Sequence, residues 1–398
     1  MRTADSDLSK ADSGSTAWLL IFFDLMMLAA GETLFITFSG NKAILKYLSR
    51  HINVSVTLQK TICCYIREIA FFVKTPFTLA GQNGDLRNIL MNPNETFTLA
   101  HLTDPHLAYY HDIRFTDLLN KRFFGYIKWR LKRSSAHRDE VLDGLIGDLM
   151  VTQPDHIVVT GDLTHLGLPA EFVKARQLLN ALGAPSKVTV IPGNHDAYVA
   201  AALERGLAHW AEYMISDKQE IADGKPLAYE TLFPSLRIRG SIALIGVSTA
   251  RPCSTFLAVG RIGKEQRQRI EKMLIETRHH GLFRVILIHH PPVSGIVNWR
   301  KRLTDAKAFR LIVQQHGAEL ILHGHAHRLS QARLKTPDGY APVVGISSAS
   351  AADRRSKRRA RYHLYYLSQM DHGWEVHVAV RSLSNSRGFI TEDEFRLL

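Results

Sequence analysis

The sequence predicts a layered α/β fold, because apolar segments of strand length alternate with amphipathic segments of helix length from Met91 onward. Strands that alternate with helices pack as layers of sheet and helix. The composition agrees with a folded domain of this kind, since 45% of the 398 residues are hydrophobic and 22% are charged.

The predicted elements follow one another in a regular order. Strands are expected at TFTLAHL (96–102), HIVVT (156–160), KVTVI (187–191), IALIGVS (242–248), RVILI (284–288) and AELILHG (318–324). Helices are expected at 137–150, 168–183, 264–278 and 305–317. Further strands towards the C-terminus would complete the domain.

The first ninety residues have a different pattern. An apolar segment at about 17–37 is interrupted by Asp24 and Glu32, whereas a membrane-spanning helix needs about 20 apolar residues with few charges. We predict one functional domain at 91–398. Residues 1–90 are then an extension that is either loosely attached or not part of the native protein.

Net charge and cysteine content limit the partners and the location. The formal charge of +13 favours contact with anions such as nucleotides, phosphates, nucleic acid or lipid. Cys63, Cys64 and Cys253 form neither a disulfide framework nor a CxxC metal site. A cytoplasmic location is therefore expected, with attachment to the inner membrane through the N-terminal segment as the alternative.

Five predicted strands end in polar residues that suit metal binding. In chain order these residues are Asp104 and His106, Asp162, Asn194 and His195, His289 and His290, and His325 and His327. In open α/β sheets, ligands bind beyond the carboxyl ends of the strands. Because residues i and i+2 of an extended chain point the same way, Asp104 with His106, and His325 with His327, can each clamp an ion. Carboxylate, imidazole and amide ligands suit Mn, Fe or Zn, and seven of them suit two ions that share a carboxylate.

The motifs D-x-H, G-D, G-N-H-D, H-x-P-P and G-H-x-H occur in this order, each after a predicted strand. Over about residues 97–330 they resemble the motifs of the calcineurin-like metallophosphoesterases. The resemblance implies a four-layer α/β/β/α sandwich of two mixed sheets flanked by helices. Within the family, the motif set is most similar to the bacterial class III cyclic-nucleotide phosphodiesterases.

The resemblance also implies a role for each residue. One metal ion would be bound by Asp104, His106 and His327, and the second by Asn194, His289 and His325, with Asp162 bridging both. A metal-bridging hydroxide would attack phosphorus in line, and His195 would assist the leaving group. Manganese and iron are the expected ions, with Zn, Mg and Co as alternatives. His165 stands where several branches have an acidic residue or Asn that orients the catalytic histidine, so the partner of His195 is left open.

These expectations describe a metallophosphoesterase, a phosphoric ester hydrolase whose substrate is a small phosphodiester such as a cyclic nucleotide. A nucleotide-sugar lipid pyrophosphatase or a nuclease would use the same site. A non-catalytic scaffold is disfavoured because none of the seven ligands is missing. Nucleic acid is not favoured as a partner, membrane contact is expected only if residues 1–90 are native, and the oligomeric state is left open.

The remaining basic and histidine residues have structural explanations. Basic and aromatic residues at 121–133 favour a solvated helix with a packed aromatic face over a nucleotide or membrane site. RRSKRRAR (354–361) is either a solvated loop or a site that steers phosphates or contacts lipid or RNA. Histidines within predicted strands are expected to be packed and hydrogen-bonded; these are His101, His156 and His323. Asp196 is expected to cap or orient its own loop.

Overall fold

The computed structural model describes residues 96–398 except 111–112, 114, 119–120, 133–138, 218, 220–228, 354–357, 372 and 385–387. The side chains of 115–116, 128–132, 204 and 230 also fall outside the description. The expected extension at 1–90 and the first half of RRSKRRAR lie outside the described residues. In the part that is described, no helix combines the length and the apolar character needed to cross a membrane.

Two sheets form the centre of the described fold. In chain order the strands are β1 (Thr96–Leu102), β2 (His156–Val159), β3 (Val188–Val190), β4 (Ser235–Arg239), β5 (Ile242–Val247), β6 (Phe283–Ile288), β7 (Leu320–His323), β8 (Ser330–Thr336), β9 (Gly339–Gly345), β10 (Arg361–Met370), β11 (Gly373–Leu383) and β12 (Phe389–Arg396). The first sheet has the order β12-β11-β10-β1-β2-β3, and the second has the order β4-β5-β6-β7-β9-β8.

Parallel strands lie in the middle or at one side of each sheet. In the first sheet β1, β2 and β3 are parallel, and β10 to β12 extend it in antiparallel pairing. In the second sheet β5, β6, β7 and β9 are parallel, while β4 and β8 are antiparallel edge strands. The register places the carboxyl ends of β1 and β2 side by side, with Leu102 opposite Val159, and Ile288 of β6 opposite His323 of β7.

Helices cover the outer faces of the two sheets. They are α1 (Arg122–Lys132), α2 (Asp139–Thr152), α3 (Pro169–Leu182), α4 (Tyr229–Leu232), α5 (Lys264–His279) and α6 (Ala306–His316). A short π-helix spans Ala202–Gly206, and 3₁₀ turns span Phe115–Leu118, Leu207–Tyr213 and Trp299–Lys301. Proline in the first turn of α3 and Gly183 after its last residue mark the two ends of that helix.

The two faces of the second sheet belong to different hydrophobic clusters. Leu244 of β5 and Leu287 of β6 share a buried cluster with residues of the first sheet and of α2 and α3. Their chain neighbours Ile245 and Ile286 belong to a separate cluster with α5 and α6. Because successive strand residues point to opposite faces, the sheet is buried on both sides. The predicted α/β/β/α sandwich is therefore confirmed.

The predicted elements between residues 96 and 324 are also confirmed, and their ends differ by no more than two residues. The strands after residue 324 were expected only in outline. The prediction for the aromatic helix is wrong in one respect: α1 forms, but Phe123 and Phe124 are exposed and do not belong to a packed face.

Candidate metal centre

The carboxyl ends of five strands bring the predicted ligands to one edge of the fold. The loops after β1, β2 and β3 in the first sheet, and after β6 and β7 in the second, carry them. Two groups result, each with one ligand atom per residue and all of these atoms within 4.8 Å of one another. The first group contains Asp104, His106, Asp162 and His327, and the second contains Asp162, His289 and His325. Asp162 belongs to both groups.

The predicted ligand Asn194 lies beside the second group. Its Oδ1 atom is 3.2 Å from Nε2 of His289, and the residue is buried. An amide oxygen is a hard ligand that complements the imidazoles of this group. All seven predicted ligands therefore meet at one place, divided between the groups as the resemblance implied.

The prediction that each pair i and i+2 clamps one ion is wrong in its geometry. Asp104 and His106 do belong to one group, but their φ angles are 52° and 46°, which is left-handed and not extended. His325 and His327, with φ angles of 67° and 50°, belong to different groups. A left-handed conformation costs a residue other than glycine about 1–2 kcal/mol, and such strain is typical of functional sites.

In Asp104 and in Asp162, one carboxylate oxygen accepts hydrogen bonds and the other faces histidines. Oδ2 of Asp104 accepts hydrogen bonds from Thr103 Oγ1 (2.8 Å) and the backbone N–H of His325 (2.9 Å). Its Oδ1 is buried, accepts no hydrogen bond within the described residues, and lies 3.3 Å from His327 Nε2 and 3.6 Å from His106 Nε2. A buried carboxylate oxygen of this kind needs a cation or a donor, so the residues fit a metal ion.

Asp162 has the same arrangement and faces both groups. Its Oδ1 accepts the backbone N–H of His195 at 2.7 Å, and its Oδ2 lies 3.8 Å from His106 Nε2 and 3.4 Å from His289 Nε2. Burial alone would raise the pKa of this carboxyl, but the imidazoles of His289, His195 and His106 outweigh burial and hold the pKa well below its ordinary value. The shared carboxylate is thus ionised, as a bridging ligand must be.

Backbone carbonyls fix which ring nitrogen two of the histidines present to the centre. Nδ1 of His289 donates to the carbonyl oxygen of Thr160 at 2.7 Å, which leaves Nε2 to face Asp162. Nε2 of His325 donates to the carbonyl oxygen of Lys301 at 3.0 Å, which leaves Nδ1 as its ligand atom. A carbonyl can only accept, so each bond fixes which nitrogen keeps its proton when the ring takes the neutral form that binds metals.

His195 lies at the open side of the centre and is oriented by the main chain. Its Nδ1 donates to the carbonyl oxygen of His165 at 2.5 Å, and its ring centroid is 4.7 Å from that of His106. The imidazole of His165 stacks on the ring of His195, with centroids 5.6 Å apart, and is bonded to the Tyr110 hydroxyl. The question left by the sequence is answered: the partner of His195 is the backbone of His165, not its side chain.

Sequence reasoning missed the residue that holds this carbonyl in place. Glu171, fully buried in the first turn of α3, accepts backbone N–H bonds from His165 (3.2 Å), Leu166 (2.8 Å) and Leu168 (3.1 Å). Burial raises its pKa to about 7, against the effect of these bonds. An acidic residue in the first turn of a predicted helix was the available signal.

Glycines beside the ligands allow the close approach of two loops. A Cβ atom at Gly161 would lie 2.6 Å from the backbone nitrogen of Gly193, and Gly161 has a φ of +94°. A Cβ atom at Gly193 would collide with the carboxylate of Asp162. Gly161 and Gly193 therefore permit a contact between the two loops that a side chain at either position would prevent.

Two further predictions concern residues next to ligands. Asp196 is fully buried, and its carboxylate accepts the N–H groups of Gly193 (2.8 Å) and Thr164 (2.9 Å), so it orients its loop as expected. His290 bonds to Thr249 Oγ1 (2.7 Å) and the carbonyl oxygen of Ala258 (3.2 Å) and belongs to neither ligand group. His290 therefore lies beside the ligands and is not one of them.

With this geometry in place, comparison with known proteins identifies the family. A family model for calcineurin-like phosphoesterases matches residues 97–329, which is more than half of the chain. The chain belongs to the calcineurin-like phosphoesterase family. The family that the motifs indicated is therefore confirmed.

Curated relatives match parts of the chain at low identity. The glycerophosphodiester phosphodiesterase GpdQ of Enterobacter lignolyticus is 35% identical over 98 residues, 25% of this chain and 29% of the relative. A protein of Synechococcus sp. named "Probable cyclic nucleotide phosphodiesterase" is 27% identical over 187 residues, 46% of this chain and 62% of the relative. A cAMP/cGMP dual specificity phosphodiesterase of Mycobacterium tuberculosis is 24% identical over 242 residues, 59% and 63% of the two chains. The chain spans less than two thirds of the length of each of these relatives.

A solved structure agrees with the fold. A dimetal phosphatase from Danio rerio superposes with a TM-score of 0.50 at 12% identity, covering 77% of this chain and 99% of that chain. At this identity the likeness concerns the fold alone, and it agrees with the α/β/β/α sandwich.

Proposed function

We propose that the chain hydrolyses small phosphodiesters, with a cyclic nucleotide as the first candidate, by means of two divalent metal ions. The observation that carries the proposal is the pair of ligand groups that share Asp162. The names of the Synechococcus and Mycobacterium relatives support a cyclic nucleotide as the substrate.

Seven residues would hold the two ions. Asp104, His106 and His327 are assigned to the first ion, Asn194, His289 and His325 to the second, and Asp162 to both. Mixed oxygen and nitrogen ligands support Mn and Fe, with Zn, Mg and Co as alternatives. When bound, a pair of ions lowers the pKa of a shared water and neutralises charge on phosphoryl oxygens.

His195 is assigned the proton that the leaving oxygen needs. The bond from its Nδ1 to the carbonyl oxygen of His165 fixes the ring, so Nε2 is the nitrogen that exchanges a proton. The imidazolium form donates from Nε2 to the departing oxygen, and the neutral ring is left behind. Glu171 is assigned a positioning role, because it holds the backbone to which His195 is bonded.

A glycerophosphodiester is the second candidate substrate, supported by the 35% identity to GpdQ over a short region. A lipid diphosphate and a nucleic acid would also suit a two-metal site. Hydrolysis of cyclic AMP, glycerophosphoethanolamine, a nucleotide-sugar lipid and single-stranded DNA, compared at equal metal concentration, separates these four substrates. We expect the highest kcat/KM for cyclic AMP.

Activity on bis-p-nitrophenyl phosphate with Mn²⁺ tests the reaction class directly. Asp162→Ala and Asn194→Ala should lower kcat/KM by on the order of 10³-fold, because both remove a ligand from the centre. Asp143→Ala is the matched control, since Asp143 is an exposed carboxylate on α2. Full activity in both ligand variants would rule out the site, and a correctly folded parent without activity on any substrate would favour the scaffold reading.

The status of the N-terminal region and the cellular location of the protein are the subject of a separate proposal. We infer that the functional domain begins near Met91 and that the protein is cytoplasmic, with inner-membrane association through residues 1–90 as the alternative. Mass spectrometry of the protein from its natural host is the test. Peptides from residues 1–80 would contradict the version in which this segment is not native.

A further inference from the structure

An exposed apolar surface lies beside the candidate metal centre. Phe123, Phe124 and Ile127 of α1 are 44%, 39% and 40% exposed, and Phe256 and Leu257, in the loop after β5, are 78% and 36% exposed. The ring centroids of Phe123 and Phe124 are 5.7 Å apart, and those of Phe124 and Phe256 are 6.0 Å apart. The three rings therefore form one surface, with Ile127 one helical turn after Phe123 and Leu257 next to Phe256 in the chain; these five residues are called the apolar rim. Contiguous exposed apolar groups mark interaction sites in soluble proteins.

Specific contacts place the apolar rim at the edge of the centre. Nζ of Lys121 donates to the carbonyl oxygen of Cys253 at 2.6 Å, which joins the start of α1 to the loop that carries Phe256. The same ammonium group is 4.7 Å from the ring centroid of Tyr198, and that ring is 5.7 Å from the ring of His195. The rim thus borders the side of the centre on which His195 lies.

A second contact continues the surface towards the other ligand group. The backbone N–H of Ala258 donates to the carbonyl oxygen of Arg300 at 2.9 Å, and Trp299 next to it is 62% exposed. The carbonyl of Lys301 accepts the bond that orients His325. The loop after β5 therefore connects the rim to a second segment that is anchored to the centre.

The segments that build this surface carry only positive charge. KRFFGYIKWRLKR (121–133), RPCSTFLAVGR (251–261) and SGIVNWRKRLT (294–304) contain basic residues and neither Asp nor Glu. The described basic side chains that are exposed on them are Arg251, Arg261, Arg300, Lys301 and Arg302. Apolar side chains surrounded by cations complement a bilayer with anionic headgroups.

We propose that the apolar rim inserts into an anionic phospholipid surface and holds the metal centre at the boundary between lipid and water. The exposed side chains of the rim include the aliphatic Ile127 and Leu257, which can enter acyl chains but give nucleic acid bases no flat face on which to stack. The contact is made by the described domain itself and does not need residues 1–90. It also does not rest on the proposed reaction, because binding is measured without substrate.

Co-sedimentation of the full chain with vesicles tests the proposal. The chain should bind vesicles of equimolar phosphatidylcholine and phosphatidylglycerol, bind pure phosphatidylcholine vesicles weakly, and dissociate as the salt concentration rises. The double variant Phe123→Ser/Phe256→Ser should bind at least about tenfold more weakly, because two inserted rings are lost. Tyr340→Ser, at an aromatic residue that is 63% exposed in β9, is the matched control and should bind as the parent does. Unchanged melting temperatures would show that all variants are folded.

Hydrogen exchange of the parent on the same vesicles locates the contact. Slower exchange of the backbone amides at 121–127 and 253–257 is expected. Equal binding by the parent and the double variant, or protection confined to other residues such as 1–90, would overturn the proposal. If vesicles are not bound, two further results would also overturn the proposal. One is tight binding of single-stranded DNA, and the other is a parent that is a dimer while the double variant is a monomer.

Discussion

Two histidines that follow strands are as buried as the histidines that lie within strands, yet they do different things. His289 and His325 follow β6 and β7, face Asp162, and have one nitrogen tied to a backbone carbonyl and the other directed at the centre. His101, His156 and His323 lie inside β1, β2 and β7 and bond to hydroxyl groups of neighbouring strands or loops. Burial by itself therefore does not identify a ligand.

Some of these rings also differ in the charges that surround them. Burial lowers the pKa of His101 and His156 well below the usual value, with no carboxylate among the causes to oppose it, so both rings are neutral. Burial has the same effect on His289, but Asp162 and Asp104 reverse it and raise the pKa of His289 to about 9. His325 differs from His289, because burial, with His290 and His289 nearby, lowers its pKa well below the usual value although Asp162 opposes this. The position after a strand and the orientation towards Asp162 therefore mark a ligand, and the pKa alone does not.

Replacing one histidine of each kind is the clearest test of this comparison. His289→Gln should remove about one equivalent of bound metal and lower kcat/KM on the order of 10³-fold, because it takes a ligand from the second group. His156→Gln should keep both metal content and kcat/KM, and should lower the free energy of unfolding by about 1 kcal/mol through the bond to Thr189. Metal analysis with steady-state kinetics and urea unfolding measures all three. Loss of metal in His156→Gln would contradict the distinction.

Replacing His195 and His165 one at a time extends the comparison to two histidines beside the metal ligands. His195→Ala should lower kcat by roughly 10²–10⁴-fold, the range for a lost general acid. His165→Ala should change kcat by no more than about threefold, since the carbonyl that orients His195 is retained. A substrate with a good leaving group such as p-nitrophenolate should restore much of the activity of His195→Ala. Equal losses in the two variants would show that the His165 imidazole itself takes part.

Acid stability provides the smallest of the effects, at a histidine within a strand and far from the ligands. Burial, with Arg361 nearby, lowers the pKa of His363 in β10 to about 3. The unfolded chain takes up this proton near pH 6.5 and the folded chain does not, so stability is full above pH 6.5 and falls towards pH 3, by up to about 1.4 kcal/mol per pH unit.

Between about pH 6 and pH 4 the unfolding free energy of His363→Gln should therefore fall less steeply than that of the parent. The difference in slope should correspond to the uptake of one proton on unfolding. His377→Gln, at a side chain that is 56% exposed in β11, is the matched control for the same change of residue at an exposed position. Denaturant titrations at several pH values measure the slopes. An identical slope in His363→Gln and the parent would disprove the assignment of this proton to His363.

Much of this protein follows from the sequence because the decisive patterns are local. Strand and helix periodicity located most elements from Thr96 to His323 but missed β4 (Ser235–Arg239), and polar residues after five strands located the ligands. These patterns depend on neighbours a few residues apart, and the carboxyl ends of parallel strands must meet at one edge. The position of His101, His156 and His323 within strands was sufficient to exclude them from the ligand set.

Only the tertiary structure decided how the ligands are oriented. Asp104, His106, His325 and His327 all have left-handed backbone, which no periodicity predicts. The partner of His195 is a carbonyl fixed by Glu171 on another element, and the exposure of Phe123 and Phe256 depends on which faces the sheets leave uncovered. Each of these depends on distances between segments far apart in the chain, which are set by packing and not by local sequence.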